Sequence, residues 1–223
     1  MSFNIAIDGP AGAGKSTIAR LVAKKLSFIY VDTGAMYRAV AIYLLKNKVA
    51  SDDAQGLKEA CKHIQVTIEY VGGEQQVILN GENVTGQLRT EEAGQMASAS
   101  SANADVRAAL LDLQRNLART ENVLMDGRDI GSNVLPEAQM KIYLTADAKI
   151  RAKRRCLELQ EKGIWCEPDT IEKEIIERDT RDMNRSIAPL IQAKDAVRID
   201  TTDMTIDEVV EQIVLLYQEV KAQ

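Results

Sequence analysis

Gly9-Pro10-Ala11-Gly12-Ala13-Gly14-Lys15-Ser16 is the stretch on which the fold turns. Its spacing, G-x-x-x-x-G-K-[ST], is that of a phosphate-binding loop. Phe3-Asn4-Ile5-Ala6-Ile7 precedes it, a short apolar run of strand composition. Thr17 to Leu26 follows, with Ile18, Leu21, Val22 and Leu26 at helical spacing. Strand, loop and helix in that order give the motif its required context. Gly9, Gly12 and Gly14 let the main chain turn tightly, so that its N–H groups converge on phosphate oxygens. The helix N-terminus adds partial positive charge. Lys15 reaches β- and γ-phosphates, and the Ser16 hydroxyl suits Mg²⁺. The motif implies a bound nucleoside triphosphate and leaves the reaction open.

Composition bounds the rest. The 223 residues suffice for one α/β domain with insertions. Net charge is −5, which argues against a broad nucleic-acid-binding face but allows a local basic pocket. Cys61, Cys156 and Cys166 are odd in number and lack C-x-x-C spacing. Neither a disulfide framework nor a zinc site is expected, and a reducing cytoplasm fits. No apolar run approaches a membrane span, and residues 1–8 lack the basic start and long apolar stretch of a secretory signal.

Phe28 to Val31 reads as a second core strand, ending at Asp32-Thr33-Gly34, with a helix from Ala35 to Lys46. Thr33 and Arg38 lie at or just past the strand's carboxyl end, where open α/β sheets bind ligands. Thr33 could equally cap the helix, and Arg38 could be a solvated surface residue. Ser51 to His63 reads as a helix capped by Ser51 or Asp52. His63, the only histidine, has no partner motif; phosphoryl transfer needs positioning and charge more than a base. From Ile64 to Thr85 the pattern changes to alternating strands with turns at Gly72-Gly73 and Asn80-Gly81, a small antiparallel insertion. Two helices, Thr90 to Ser101 and Asp105 to Arg119, follow.

Asn122 to Asp126 reads as the third core strand, continuing into Gly127-Arg128-Asp129. An aspartate at this point, Asp126, suits the orientation of Mg²⁺ or its water. Arg128 and Asp129 stand at the ligand edge, unless they form a simple surface pair. Lys141 to Leu144 and Ala196 to Asp200 supply strands four and five, and Thr205-Ile206-Asp207-Glu208 is a capping box for the last helix.

Between those strands lie two arginine arrays. Arg151, Arg154 and Arg155 stand at i, i+3 and i+4; Arg178, Arg181 and Arg185 stand at i, i+3 and i+7, with Asp182 four residues from Arg178. Guanidinium forks suit phosphate oxygens. The alternative is solvated helix faces laced by salt bridges to Glu174, Glu177 and Asp179. Gln160 to Pro168, with Gly163 and Trp165, reads as a hinge or mobile tip. The expected fold is a doubly wound five-stranded parallel sheet with a small antiparallel β insertion and a short helical lid. One arginine array and the loop can serve a triphosphate. The remaining arginines imply a second anion, hence phosphate transfer between nucleotides. An N-K-x-D guanine signature is absent.

These runs together resemble the bacterial cytidylate kinases, a family of P-loop nucleoside monophosphate kinases. The resemblance is carried by Ile7 to Ser16, Asp32-Thr33-Gly34-Ala35-Met36-Tyr37-Arg38, Asp126-Gly127-Arg128-Asp129-Ile130-Gly131 and Glu177 to Arg185. It implies ATP as phosphate donor, CMP and dCMP as acceptors, and Mg²⁺. It places ATP against Gly9, Pro10, Ala11, Gly12, Ala13, Gly14, Lys15, Ser16 and Thr17, with Arg151 and Arg155 in a lid. It puts Ser98, Arg107 and Asp129 on the cytosine and Arg178 and Asp182 on the sugar. Arg38, Arg128 and Arg185 fall on the acceptor phosphate, with the Thr33 hydroxyl nearby. Lys15, Arg128, Arg155, Arg181 and Arg185 become the catalytic cations, Ser16 the Mg²⁺ ligand and Asp126 its outer support. The domain is then one unit with three parts: a core (about 1–40, 120–150 and 186–223), an acceptor region (about 41–119), and a lid with the arginine helices (about 151–185). A cytoplasmic monomer, without nucleic-acid or membrane partners, is expected. Two departures from the family pattern are Thr33, where serine is common, and Ser132-Asn133-Val134-Leu135 in place of T-V-V-F.

Overall fold

The computed structural model describes residues 2–161 and 163–222. In chain order the elements are β1 (Asn4–Asp8), α1 (Lys15–Leu26), β2 (Ile29–Asp32), α2 (Thr33–Lys46) and α3 (Ala54–Cys61). Then come β3 (Val66–Val71), β4 (Glu74–Leu79), β5 (Glu82–Asn83), α4 (Glu91–Ser100), α5 (Ala104–Thr120) and β6 (Val123–Gly127). The chain ends with β7 (Met140–Thr145), α6 (Ala148–Glu161), α7 (Pro168–Asn184), β8 (Val197–Asp200) and α8 (Ile206–Lys221).

Five strands form one parallel sheet in the order β2-β6-β1-β7-β8, as expected. Alternation along β1 explains how both faces are covered. Ile5 and Ile7 face a core shared with Leu124, Ile142 and the helices α1 and α8, through Ile18, Val22, Val209 and Ile213. Ala6 faces the opposite core, with Val31, Met125 and residues of α2 and α5 such as Met36, Val40 and Leu110. The crossovers after β1 and after β6 go to opposite sides of β1, so its carboxyl end lies where the winding changes direction. Ligands bind at such points, and the phosphate loop begins there.

The insertion is a three-stranded antiparallel sheet, β3-β4-β5, in which the short β5 was not foreseen. It is tied to the core by the Tyr70 hydroxyl, which donates to the Tyr30 carbonyl at 3.0 Å, and by Gln75, whose side chain meets the main chain of Asp32.

Some local expectations shift. α3 is shorter than the expected helix, and its N-cap is Asp53, whose carboxylate accepts from Gly56 N at 2.8 Å. α2 is capped by Asp32, which accepts from Ala35 N, so Thr33 is free for another task. Residues 130–134 form one π-helical turn after β6, a detail with no periodic signature in the sequence. The expectation of unpaired cysteines is corrected: Cys156 and Cys166 form a disulfide across the α6–α7 connection, with Cα atoms 5.8 Å apart, and Cys61 is free. The pair stands ten positions apart, and packing of α6 on α7 brings them together, which linear spacing does not reveal.

Candidate active site

The loop between β1 and α1 is held in a shape that side chains forbid. Gly9 has φ +151°, and a Cβ there would collide with the Leu144 carbonyl oxygen of β7. Lys15 opens α1 and is 6% exposed, its Nζ donating to the Pro10 carbonyl at 2.7 Å. Burial and the nearby guanidiniums of Arg128 and Arg178 pull its ammonium well below the usual lysine range, with Asp126 and Asp8 opposing. A cation so placed gains from an anionic ligand.

At the carboxyl end of β6 the Asp126 carboxylate accepts from Ser16 Oγ at 2.9 Å and from the Tyr30 hydroxyl at 3.0 Å. Burial raises its pKa to about 6, and the neighbouring Asp32 carboxylate adds to the rise. Thr33 Oγ1 donates to the Asp126 carbonyl at 2.7 Å, so the hydroxyl ties α2 to β6. Gly127 makes this approach possible, since a Cβ there would lie 2.8 Å from Thr33 Oγ1.

Asp129 is the hub of the next group. Its carboxylate accepts from Arg107, from Arg185 at 3.1 Å and from Asn133 at 3.1 Å. Arg107 also donates to the Ser101 carbonyl at 3.2 Å, and its guanidinium lies 5.7 Å from the Tyr37 ring centroid. Burial pushes the Tyr37 hydroxyl up to about 12, Arg107 opposing. Arg128 pairs with Asp182 of α7 at 2.9 Å. Arg178 differs from these paired charges: its Nε is buried with no partner among the described residues. Burial and the adjacent Arg128 lower its pKa to about 10. Ser98 Oγ of α4 is likewise buried and unpartnered.

The two arginine arrays are therefore not two uniform stripes. Arg151 is buried and donates to the Ala11 carbonyl at 2.8 Å and to Asp179 at 2.6 Å, while Asp179 accepts from Ala11 N at 3.2 Å. It braces the phosphate loop against α7. Arg154 binds the main chain and hydroxyl of Thr201, and Arg155 is exposed beside Glu158. In the second array Arg178 is half-buried with its Nε enclosed, Arg181 is exposed and Arg185 reaches Asp129. A cavity of about 2310 Å³ joins the groups: Lys15 and Ser16 lie along one part of it, Ser98, Arg107, Asp129 and Arg178 along another. Arg38, Arg155 and Arg181 also line it, whereas Arg151 does not. His63 lies on the surface near Glu59.

Sequence reasoning gave no role to Asp8, Tyr30 and Tyr37, and offered Asp179 only as a salt-bridge partner of the arginine helices, not as a support of the loop. Asp8, the last residue of β1, accepts from Ile130 N and Gly131 N, each at 2.7 Å. It thereby fastens the turn after Asp129 to the strand that carries the phosphate loop. Burial raises its pKa to about 7 despite those two bonds, with Asp129 adding to the rise and Lys15 opposing it. Its place directly before the loop was the one available signal. Tyr30 carries no motif, and Tyr37 and Asp179 lie inside runs that carry the resemblance without a role attached to them there.

Loop, sheet order and cation-lined cavity define a P-loop kinase. A solved structure of an uncharacterised protein from Eubacterium ventriosum shares the fold, with TM-score 0.52 and 13% identity over the whole of both chains. A family model described as cytidylate kinase matches residues 5–219. A cytidylate kinase of Caldicellulosiruptor saccharolyticus is 48% identical over 98% of this chain and 96% of its own. One from Ligilactobacillus salivarius is 49% identical over 97% of each. The chain belongs to the cytidylate kinase family.

Proposed function

We propose that the protein transfers the γ-phosphate of ATP to CMP or dCMP, giving ADP and CDP or dCDP. One observation carries the acceptor half: Arg178 Nε and Ser98 Oγ are buried, without a partner among the described residues, and their residues line the cavity that also holds Lys15. Buried polar atoms of this kind find partners, and an acceptor nucleotide supplies them. Family membership supports the rest.

The roles follow from chemistry. The main chain from Gly9 to Thr17 and the start of α1 hold the donor phosphates, and Lys15 meets the charge that builds on the transferring group. Arg38, Arg128 and Arg185 hold the acceptor phosphate, Arg178 and Asp182 lie toward the sugar, and Arg155 and Arg181 come to the donor from the lid. An acceptor phosphate oxygen then attacks the γ-phosphorus as the bond to the ADP oxygen breaks. Ser16 and Asp126 offer a hydroxyl and a carboxylate 2.9 Å apart beside the loop, oxygen donors of the type that Mg²⁺ takes alongside phosphates and water. They fit as its direct and outer support, and the ion supplies charge neutralisation on the phosphates.

Base choice falls to Asp129 and Arg107. An ionised carboxylate accepts about four hydrogen bonds. Arg107, Arg185 and Asn133 occupy three positions on Asp129, which leaves room for the cytosine N4 amino group. Uracil presents an acceptor there instead. Arg107 donates toward O2 and N3, and N3 of uracil carries a proton. A well-desolvated site of this kind rejects the wrong base by roughly 10⁴-fold. No described helix is long and apolar enough to cross a membrane. Independently of that, the family resemblance leads us to take the working form as a cytoplasmic monomer. ADP formation measured with CMP, dCMP, UMP and AMP tests the reading. CMP and dCMP are expected to dominate; equal turnover with UMP would refute the base assignment, and no turnover with any acceptor would refute the transfer.

A further inference from the structure

We propose that Cys156 and Cys166 are a reversible covalent modification site, a dithiol–disulfide pair that sets the freedom of residues 163–166 ahead of α7. Cys156 lies within α6, and Cys166 lies two residues before the first residue of α7. They are 4% and 9% exposed. Their Cα separation of 5.8 Å falls within the range that a disulfide spans without backbone movement. The chain between them contains Leu157, Ile164 and Trp165, which are 60%, 50% and 85% exposed, so the closed link lies beneath an exposed tip.

The two helices are joined at two levels. Deeper in the hairpin, Arg151 and Asp179 form a buried ion pair that also holds Ala11 of the phosphate loop. Cys156 stands five residues further along α6, about 7.5 Å along its axis. The ion pair needs no redox chemistry and keeps the base of the hairpin docked in either state. Only the tip changes. Glu158, Leu159, Ile164 and Trp165 of that tip line the site cavity, so a change in its freedom alters a wall of the nucleotide site directly. Closed, the link holds this wall back; open, it lets the wall fold over the triphosphate.

The reagent is a low-molecular-weight disulfide of the glutathione class. Cys166 reacts first, because it belongs to the irregular connection beside exposed Trp165, whereas Cys156 is enclosed within α6. Its thiolate attacks one sulfur of the reagent, forming a mixed disulfide and releasing one small thiolate. The Cys156 thiolate then attacks the Cys166 sulfur and expels the second. The two protons of the protein thiols pass to the released thiolates. Two protein thiols are oxidised to one disulfide, and one small disulfide is reduced to two thiols. In a reducing compartment such pairs are transient or sensing rather than structural. Cys61 serves as an internal control: burial and the Asp105 carboxylate raise its thiol pKa, which keeps it unreactive.

The full chain is equilibrated in buffers of graded reduced-to-oxidised glutathione ratio, trapped with acid and an alkylating agent, and weighed. The wild type and Cys61→Ser should convert cleanly from two alkylated thiols at these positions to none. Cys156→Ser and Cys166→Ser should show only a mixed disulfide. Trp165, the sole tryptophan, reports binding of a non-hydrolysable ATP analogue without any turnover. Oxidised wild type should bind the analogue at least about threefold more weakly than reduced wild type, with dithiothreitol restoring affinity. The two serine variants should hold the reduced affinity in a medium free of oxidant. A wild type that never closes the link, or equal affinity in the two redox states, overturns the proposal. The kinetic counterpart rests on the phosphate-transfer reading: the KM for ATP should rise on oxidation while the KM for CMP stays constant. Absence of turnover in both states would count against that reading and leave the mass and binding results to decide the redox site.

Discussion

At the phosphate loop the main chain supplies the binding groups, and eight consecutive residues contain nearly all that is needed. At the proposed acceptor end the groups are side chains, drawn from α2, α4, α5, the turn after β6, and α7. The difference shows in what each does without ligand. The loop is braced from outside by Arg151 and Asp179 and keeps its shape. Most acceptor residues instead satisfy one another, Arg107 and Arg185 with Asp129 and Arg128 with Asp182, while Arg178 Nε and Ser98 Oγ are buried without a partner among the described residues. A site made of backbone is preorganised by its turn. A site made of opposed charges is preorganised by pairing, and its partners must tolerate a nucleotide among them.

The largest effect should come from removing the loop's brace. Arg151→Ala leaves Asp179 buried without its cation, a loss that typically costs about 3–5 kcal/mol. Urea denaturation should show it, whereas Arg155→Ala, which removes an exposed pair, should move stability by less than about 0.5 kcal/mol. Equal losses would mean that Arg151 and Arg155 are equivalent after all. Next, Lys15→Ala should lower kcat by about 10²–10³-fold while the chain stays folded, since the missing charge acts on the transition state. A kcat within a few-fold of wild type would remove the loop from catalysis.

The acceptor end is tested by selectivity instead. Asp129→Ala should narrow the CMP-to-UMP ratio of kcat/KM by at least about tenfold, or ~1.4 kcal/mol. If Asp129 only orients its arginines, both acceptors weaken together and the ratio stays put. Asn at the same position keeps the side chain's size and one acceptor oxygen but turns an amino donor on either Arg107 or Arg185, so it removes the charge without emptying the site.

Asp8 links the two ends and gives the smallest, pH-dependent effect. Its carboxyl keeps a proton up to about pH 7 in the folded chain, against an ordinary value of 3.8. The folded state thus binds more protons than the unfolded state between those values. Stability from this group is full below about pH 4 and is lost as pH rises through about 7. Urea midpoints of the wild type, compared with Asp8→Asn, should therefore converge or cross over that interval. Parallel pH profiles would show that Asp8 does not titrate there. The variant also turns one amide against the N–H of Ile130 or Gly131, so its KM for CMP should rise more than its KM for ATP.

Legibility followed the range of the interactions. The phosphate loop was readable because its ligands are neighbours in sequence and glycine is required at fixed offsets. The five core strands, the antiparallel insertion and the Thr205–Glu208 cap were readable because periodicity and capping are local as well. The arginine arrays were visible as positions on a helix, but helical spacing says nothing about what faces each side chain. Arg151 turned to the loop, Arg154 to Thr201 and Arg155 to solvent.

By itself the sequence determined the parallel β/α core, the phosphate loop and the set of charged residues available for a second anion. Those features depend on backbone conformation and hydrophobic period, which a short window encodes. Only the tertiary structure decided which charges pair and which stay free, that Asp32 rather than Thr33 caps α2, that Asp8 holds the turn after Asp129, and that Cys156 meets Cys166. Such choices are made by distance across packed elements: Asp8 and Gly131 are 123 residues apart, yet meet at 2.7 Å. Burial then fixes their consequence, because a charge removed from water must take whichever partner the fold brings within reach.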